Sequence, residues 1–457
     1  MSSSTLNVVI LAAGKGTRMH SHLPKVLHPV ADKPLLAHVV DCARTLAPGR
    51  ILVVHGHGAE TVRATITGTD IHWVHQAEQL GTGHALQQAV PHLLTGGTAL
   101  VLFGDVPLIR AETCRQLLHK AQKGLTLLTF ITPQPKGYGR IIRGADGRVQ
   151  RIVEEKDADE EQRAVREVNS GIMAMPVHLI ADWLSALRND NAQGEYYLTD
   201  IVALAVRHRV PVESVTTDAA WEVAGVNSKS DLAMVERQYQ RLQAETLLSQ
   251  GVTLRDPQRL DVRGALRVGR DVEIDVGCIF EGQVEIGAQV RIGPYCVLRN
   301  ATIGDGVTVA AFSHIEDASI GADSRIGPYA RLRPGSELMR DTHIGNFVEI
   351  KNSRIGQGSK VNHLSYIGDS DIGKDVNVGA GTITCNYDGA NKHRTVIGDR
   401  AFIGSDSQLV APVTVAAGAT IGAGSTITRD APADMLTLSR TRQVSIQGWK
   451  RPRKLKT

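Results

Sequence analysis

Aromatic residues make up only 4% of this 457-residue chain while 45 positions are glycine, a balance that points to a fold built on repeated tight turns. Cysteine is sparse as well. The five (Cys42, Cys114, Cys278, Cys296 and Cys385) are odd in number and form no C-x-x-C pair. That argues against a disulfide framework or a structural zinc and for a reducing compartment, with most of them acting as small buried hydrophobes. A long apolar run is missing too. The first stretch, Leu6 to Ala13, has no basic region before it and leads into a Gly-rich turn, so it is neither a signal peptide nor a membrane span, and a cytoplasmic location is expected. Charge of one sign is confined to one end. The formal charge is +4, but residues 439–457 hold seven Lys or Arg and no acid, which leaves −3 for the rest and no nucleic-acid footprint. Ordinary hydrophobic (42%) and charged (21%) fractions argue against disorder, and the length suggests two or three domains.

A repeat dominates the second half. Apolar residues recur every six positions at Val262, Val268, Ile274, Phe280, Ile286, Ile292 and Leu298. The beat returns from Ile320 to Ile350 and from Ile397 to Ile427, often with Gly next, as in Ile286-Gly287, Ile292-Gly293 and Ile403-Gly404. Six fits neither a helix nor simple strand alternation. It fits a parallel β-helix in which each hexapeptide makes a short strand and a turn, the apolar residue points inward, and the Gly permits a positive φ. Three hexapeptides per coil would stack into a triangular prism over 251–438. Near 300–319 and 379–396 the beat slips, and loops are expected to leave the column there.

Before residue 229 the pattern changes to short strands alternating with helices. Candidate strands are Asn7–Leu11, Ile51–Val54, Ile71–Val74, Ala99–Phe103 and Leu125–Ile131, with helices over Leu35–Leu46 and Ala111–Lys123 among them. This reads as a doubly wound, Rossmann-like α/β domain with a parallel sheet over 1–228. A hairpin at Asp146-Gly147 is added to it. A helical linker over 229–250 carries Leu232, Val235, Tyr239, Leu242 and Leu247 on one face and opens with Ser228-x-x-Asp231. The basic tail, 439–457, closes the chain.

The first strand runs into Leu11-Ala12-Ala13-Gly14-Lys15-Gly16-Thr17-Arg18-Met19, followed by Pro24-Lys25. Successive backbone N–H groups in such a turn can cradle phosphates, and Gly14 and Gly16 allow close approach. Met19 stands where a dinucleotide fingerprint needs its third Gly, and no Ser or Thr follows Gly14-Lys15 as a Walker loop requires. Arg18 and Lys25 beside the loop suit a triphosphate. Asp105, after Phe103-Gly104 at the carboxyl edge of a strand, is read as a Mg²⁺ ligand, because Mg²⁺ takes one or two protein groups plus phosphate oxygens.

The Leu-Ala-Ala-Gly-x-Gly-Thr-Arg-Met…Pro-Lys signature resembles that of the sugar-nucleotide pyrophosphorylases. Gln76-Ala-Glu-Gln-Leu-Gly-Thr-Gly-His84, Tyr138-Gly139-Arg140, Val153-Glu154-Glu155-Lys156, Asn169-Ser170-Gly171, Gly194 to Asp200 and Gly225-Val226-Asn227 narrow it to the N-acetylglucosamine-1-phosphate uridylyltransferases. With the repeat, roughly residues 5–450 resemble the bacterial bifunctional enzymes that also acetylate glucosamine-1-phosphate. The implied activity takes acetyl-CoA and UTP through both steps to UDP-N-acetylglucosamine and pyrophosphate, for cell-envelope precursors. The resemblance implies that Leu11, Ala12, Ala13, Gly14, Gln76, Gly81 and Thr82 hold the uridine, and Gly139, Glu154, Asn169 and Asn227 the sugar. Asp105 and Asn227 would share Mg²⁺. Phe103 departs from the family, in which Tyr is the usual residue.

For the second half the resemblance implies His363 as the base that deprotonates the substrate amine, and general-base work suits an imidazole near neutral pH. It places Arg333, Lys351, Tyr366 and Asn377 on the sugar phosphate, and Ala380, Asn386, Tyr387, Ser405, Ala423 and Arg440 along an acetyl-CoA groove. It also implies a homotrimer with sites between subunits, where the basic tail could meet CoA phosphates. Two rivals are a pyrophosphorylase whose β-helix serves only assembly or regulation, and a non-enzymatic scaffold. The scaffold fits poorly with Arg18, Lys25, Asp105 and Asn227 all present, and the single-function reading with His363, Asn386-Tyr387 and Arg440 together.

Overall fold

A computed structural model describes residues 5–454; the start of the first domain and the last three tail residues, 455–457, lie outside the described residues. The chain divides into two units, Met1–Tyr239 and Gln240–Thr457. In the first, the sheet runs from edge to edge as Val212–Thr217, Leu125–Ile131, Glu167–Pro176, Thr98–Phe103, Leu6–Ala12, Arg50–His55 and Ile71–His75. The five expected strands are present to within a residue at each end. Their unbroken aliphatic runs reflect burial on both faces, as at the fully buried Val8, Val9 and Ile10. The flanking helices Leu35–Arg44 and Ala111–Ala121 bury residues at helical spacing, Leu35, Leu36, Val39, Val40 and Ala43 in the first.

Two strands depart from the expected parallel sheet. Glu167–Pro176 is antiparallel to both neighbours, which makes the sheet mixed. It follows the antiparallel hairpin Arg140–Arg143/Val149–Val153, so no helical crossover is needed to bring it in. The edge strand Val212–Thr217 is half-exposed and rich in Thr, Ser and Glu, and so lacks the aliphatic signature of its neighbours.

The sheet's order places the site. From Leu6–Ala12 the chain winds outward through Arg50–His55 to Ile71–His75, then returns to the other side of Leu6–Ala12 as Thr98–Phe103. This reversal opens a crevice at the carboxyl ends of the two central strands, where open α/β sheets bind ligands.

The linking helix is Lys229–Ser249. Asp231 Oδ2 accepts from the backbone N–H groups of Asn227 (3.0 Å) and Ser228 (2.9 Å), while Ser228 Oγ accepts from Asp231 N–H (3.2 Å). That reciprocal capping is what Ser228-x-x-Asp231 predicts.

In the second unit, Glu273 pairs with Arg291, Arg291 with Thr308 and Thr308 with Arg325, so successive coils are 18 or 17 residues long. This is the three-hexapeptide coil of a parallel β-helix. In register, Ile292, Val309, Ile326, Ile344, Val361, Val378, Ile403 and Ile421 form one buried file inside the column. Burial of each contributes about 1.5–3 kcal/mol.

Two expectations about the repeat need correction. Gly287 and Gly404 do not adopt positive φ. A Cβ on them would lie 2.8 Å from Asp305 N and 2.5 Å from Ala423 N, so glycine is required there for the approach of the next coil. The left-handed conformation falls instead on turn residues such as Gln289, Asp323 and Tyr329. Nor does a loop leave the column near 300–319. The register shifts between Glu281 and Val284, opposite Arg299 and Ala301, and Asn300 makes the tighter turn while its Oδ1 accepts from Gln283 N–H (3.1 Å). That coil simply lacks one residue. The second slip does make a loop: Asn377 pairs with Phe402, 25 residues on.

One corner of the prism carries an exposed aromatic file. Tyr295, Phe312, Tyr329 and Phe347 all adopt positive φ, and successive ring centroids lie 5.4, 5.0 and 5.3 Å apart, nearly parallel. Left-handed backbone costs an L-residue roughly 1–2 kcal/mol. Stacking of about 0.5–1.5 kcal/mol per pair offsets it.

Candidate functional site

At the sheet's switch point lies a cavity of about 500 Å³, lined by Leu11, Ala12, Ala13, Gly14, Lys25, Gln76, Gly81, Thr82, Phe103 and Asp105 among others. Ten residues expected from the sequence thus meet on one wall. Gly14 faces open space, and Gly16 turns at φ +62 with its α-carbon against the Lys25 side chain, which places that lysine under the loop. Lys25 Nζ donates to Asp105 Oδ2 (2.5 Å) and to Asn227 Oδ1 (3.1 Å). Asn227 reaches Asp105 from 122 residues away because Val226 N–H bonds to Asp105 O (2.9 Å).

Two oxygens of different residues therefore converge on one cation position. A carboxylate and an amide carbonyl, with remaining positions for water and phosphate oxygens, form a donor set that fits Mg²⁺. Among the described residues no group of three or more His, Cys, Asp or Glu gathers as a metal site. Arg18 lies exposed on the turn Thr17–Met19, outside the lining. Lys15, Gln79 and Glu195, which sequence reasoning passed over, do line it. Lys15 sat within the quoted loop; Gln79 and Glu195 carried no signal apart from the family motifs.

Gly139, Glu154 and Asn169 form a second cluster. Asn169 N–H bonds to Gly139 O (2.8 Å), and a Cβ on Gly139 would lie 3.4 Å from Glu154 Oε1. The Asn169 Oδ1 is buried without a hydrogen-bond partner, an acceptor suited to a ligand hydroxyl. Burial pushes the Glu154 carboxyl above its ordinary range, against the Thr199 hydroxyl that donates to it (2.9 Å). Gly104 N–H closes on Leu11 O (2.9 Å), and the Phe103 ring packs against Gly171.

In the β-helix, His363 ends the strand Lys360–His363, in register with Asn346 one coil earlier. Its Nδ1 lies 2.8 Å from Asn346 Oδ1. An oxygen there requires the proton on Nδ1, so Nε2 keeps the lone pair a base needs. Asn346 was not foreseen, although its distance of 17 residues from His363 equals one coil.

Backbone bonds run from Gly381 N to His363 O, from Asp406 N to Ala380 O, and from Gly424 N to Ser405 O. His363, Ala380, Ser405 and Ala423 therefore occupy one file along the corner that carries the aromatic rings. At about 4.8 Å per coil the file spans roughly 14 Å. Arg440 joins it, its Nη1 donating to Ala423 O (2.9 Å).

Arg333, Lys351 and Tyr366 start the next face on successive coils, and Arg333 donates to Glu349 Oε1 (2.8 Å). The Lys392 ammonium beside Lys351 holds its pKa below the usual lysine range, so two cations are pooled there. Asn377 is set apart, on the preceding face in register with Lys360 and Phe402. The loop after Cys385 is pinned by Asn386 Nδ2 on Asp369 Oδ2 and by Asp388 Oδ1 accepting from the N–H groups of Ala390 (2.8 Å) and Asn391 (2.6 Å). Tyr387 stays exposed on it.

Comparison with known proteins covers both units. The MobA-like NTP transferase domain matches residues 8–203, the GMPPB C-terminal domain residues 262–344, and the bacterial transferase hexapeptide (six repeats) residues 394–429. The chain is 62% identical to the bifunctional protein GlmU of Methylobacillus flagellatus over 99% of this chain and 98% of that one. It is 61% identical to that of Azoarcus sp. over 98% and 99%, and 59% identical to that of Chromobacterium violaceum over 98% and 99%.

Proposed function

Since the chain belongs to the family of bifunctional GlmU proteins, we propose that its two sites divide two transfers: acetylation of glucosamine-1-phosphate by acetyl-CoA on the β-helix, and uridylyl transfer from UTP to the resulting N-acetylglucosamine-1-phosphate in the α/β unit. The functional boundaries are 1–228 and 251–438, with the helix 229–250 and the tail 439–457 beside them. The observation that carries the reading is the convergence of Lys25, Asp105 and Asn227 at the mouth of a cavity walled by Gln76, Gly81 and the Leu11–Gly14 loop.

In the uridylyl step the sugar-phosphate oxygen, already anionic, attacks the α-phosphorus of UTP and pyrophosphate leaves. Little proton transfer is needed, so positioning and charge neutralisation dominate. Mg²⁺, held by Asp105 and Asn227, supplies positive charge to the phosphates when bound. Lys25 adds its ammonium beneath the loop, and Arg18 steadies phosphate from the exposed turn. Asn169 and Glu154 accept from sugar hydroxyls, while the N–H groups of the loop orient the nucleotide.

In the acetyl step His363 Nε2 takes a proton from the substrate ammonium. The nitrogen attacks the thioester carbonyl, the C–S bond breaks, and CoA leaves as thiol. Arg333, Lys351, Tyr366 and Asn377 hold the sugar phosphate. The file Ala380–Ser405–Ala423 guides the CoA arm to the His363 corner, with Asn386, Tyr387 and Arg440 along it. Asn377 stands on another face than Arg333, which fits a site completed by neighbouring subunits of a homotrimer. The exposed aromatic file at that corner is the apolar surface such an assembly would cover. Among the described residues no helix is long and apolar enough to cross a membrane.

The test supplies acetyl-CoA, glucosamine-1-phosphate, UTP and Mg²⁺ and follows free thiol and pyrophosphate. Both products are expected, and pyrophosphate should require either acetyl-CoA or ready-made N-acetylglucosamine-1-phosphate. Pyrophosphate without thiol would favour the single-function reading.

A further inference from the structure

Behind the nucleotide cavity, outside its lining, His84 stands between two glutamine amides. Gln76 Nε2 lies 3.3 Å from Gly81 O and 3.0 Å from His84 Nδ1, and Gln88 Nε2 lies 3.1 Å from His84 Nε2. All three belong to or flank the helix Thr82–Ala89. Its first turn is held in place by Gly83 N–H on Tyr196 O (2.8 Å) and by Thr82 Oγ accepting from Leu198 N–H (3.1 Å).

The protons can be counted. The Gln76 atom facing the Gly81 carbonyl must be the nitrogen, since two oxygens would repel there. One of its N–H groups goes to Gly81 and the other to His84, so His84 Nδ1 must be the bare acceptor and Nε2 must carry the hydrogen. A donor then faces the Gln88 amide, and a half-turn of that amide presents its oxygen. The half-turn gives up only a 3.4 Å contact to His84 O, a carbonyl already used inside the helix. Both N–H groups of Gln76 are thereby consumed, although a free amide offers donor and acceptor alike. On the cavity wall, only Oε1 remains to meet a base.

We propose that His84, held in its Nε2–H tautomer by Gln88, is a positioning residue that locks the Gln76 amide oxygen-outward. The site thereby selects a pyrimidine with N–H at ring N3, such as uracil, over one with a bare nitrogen there, such as cytosine. This rests on the uridylyl-transfer reading of the cavity. A bare nitrogen would set two acceptors against each other, and sites built around a required hydrogen bond reject analogues that lack it.

The experiment measures kcat and KM for UTP and for CTP, with N-acetylglucosamine-1-phosphate and Mg²⁺, in wild type and four variants. H84L should lower kcat/KM for UTP about 10- to 100-fold, mainly through KM, and should lower the UTP-to-CTP preference at least tenfold. H84N puts an amide oxygen near the former Nδ1 and should hold the preference within threefold of wild type. Q88E still accepts from Nε2–H and should retain it, whereas Q88M should lose it. Acetyl transfer on the same preparations reports an intact second unit, and a thermal melt reports folding. Should H84L fail to fold, the contrast between Q88E and Q88M decides. An H84L preference within threefold of wild type, or equal loss in Q88E and Q88M, overturns the proposal. Absence of any uridylyl transfer in wild type would instead overturn the reading on which it rests.

Discussion

If Asn346 fixes the tautomer of the acetyl-transfer base, Asn346→Ala should lower kcat while leaving both KM values in place. In the folded chain His363 Nδ1–H donates to Asn346 Oδ1 at 2.8 Å, and only that tautomer offers Nε2 as acceptor for the substrate's proton. A hydrogen bond of this kind contributes about 0.5–1.5 kcal/mol net, and each 1.36 kcal/mol is tenfold in rate, so the loss lies between about 2- and 13-fold. The pair is exposed, which puts the effect in the lower half of that range. His363→Ala removes the base itself and should cost roughly 10²–10⁴-fold. Asn346→Asp keeps an acceptor opposite Nδ1 and should stay near wild type. Thiol release at saturating acetyl-CoA and glucosamine-1-phosphate measures all three, and uridylyl transfer on the same samples should not change. If N346A and N346D behave alike, the tautomer argument is wrong. If H363A stays within threefold of wild type, His363 is not the base.

Asp105→Asn should abolish uridylyl transfer and spare acetyl transfer, because its carboxylate belongs to the α/β cavity; joint loss of both activities in a folded protein would refute independent sites. Removal of residues 439–457 should raise KM for acetyl-CoA, with Arg440's contact to Ala423 O gone, and the effect should shrink in high salt, where the Debye length falls below about 10 Å; unchanged acetylation kinetics would remove the tail from the site. Asp200 has its carboxyl pushed up to about 6 by burial and then by Glu154, Asp157 and Asp190. A raised folded-state pKa means that its stabilising contribution is complete below about 3.8 and is lost as pH rises through 6. Asp200→Asn should therefore raise Tm by about 2–4 °C at pH 7.5, corresponding to about 1 kcal/mol after discounting for solvent screening. It should do nothing at pH 4, and an equal gain at both pH values would exclude this cause.

How legible the fold was depended on what each element buries. The strands Leu6–Ala12, Thr98–Phe103 and Leu125–Ile131 are covered on both faces and announce themselves as aliphatic runs. Val212–Thr217 is an edge strand with one apolar residue fully shielded from solvent, Val215, and reads as a loop. Glu167–Pro176 was hidden for another reason. Its Asn169-Ser170-Gly171 bulge breaks the alternation, and the same bulge aims the Asn169 acceptor and gives Phe103 a glycine to pack on. The Lys25–Asp105–Asn227 cluster was readable only as motifs, since its closure depends on the bond from Val226 N–H to Asp105 O across 121 residues.

On the β-helix the limit was one of phase. The six-residue beat located the coils without revealing which turns share a corner, because coil length alternates between 17 and 18 and then jumps to 25 at the Asn386 loop. With the register in hand, Asn346, His363, Ala380, Ser405 and Ala423 fall on one file even though their spacings in sequence are unequal. Side chains alternate between core and solvent along each short strand, so a slip of one residue would turn the Ile344–Val361–Val378 file outward. The buried aliphatic file therefore holds the solvent-facing file in phase, and the acetyl-transfer corner takes its alignment from the core rather than from contacts among its own residues. The long coil tests this logic within the molecule. Its extra residues are all spent between Cys385 and Thr395, and Asn377–Phe402 resumes the register with Val378 and Ile403 both buried. Ser405 thus stands beneath Ala380 despite the insertion, and Asn386 and Tyr387 are added to the corner without displacing the file they join.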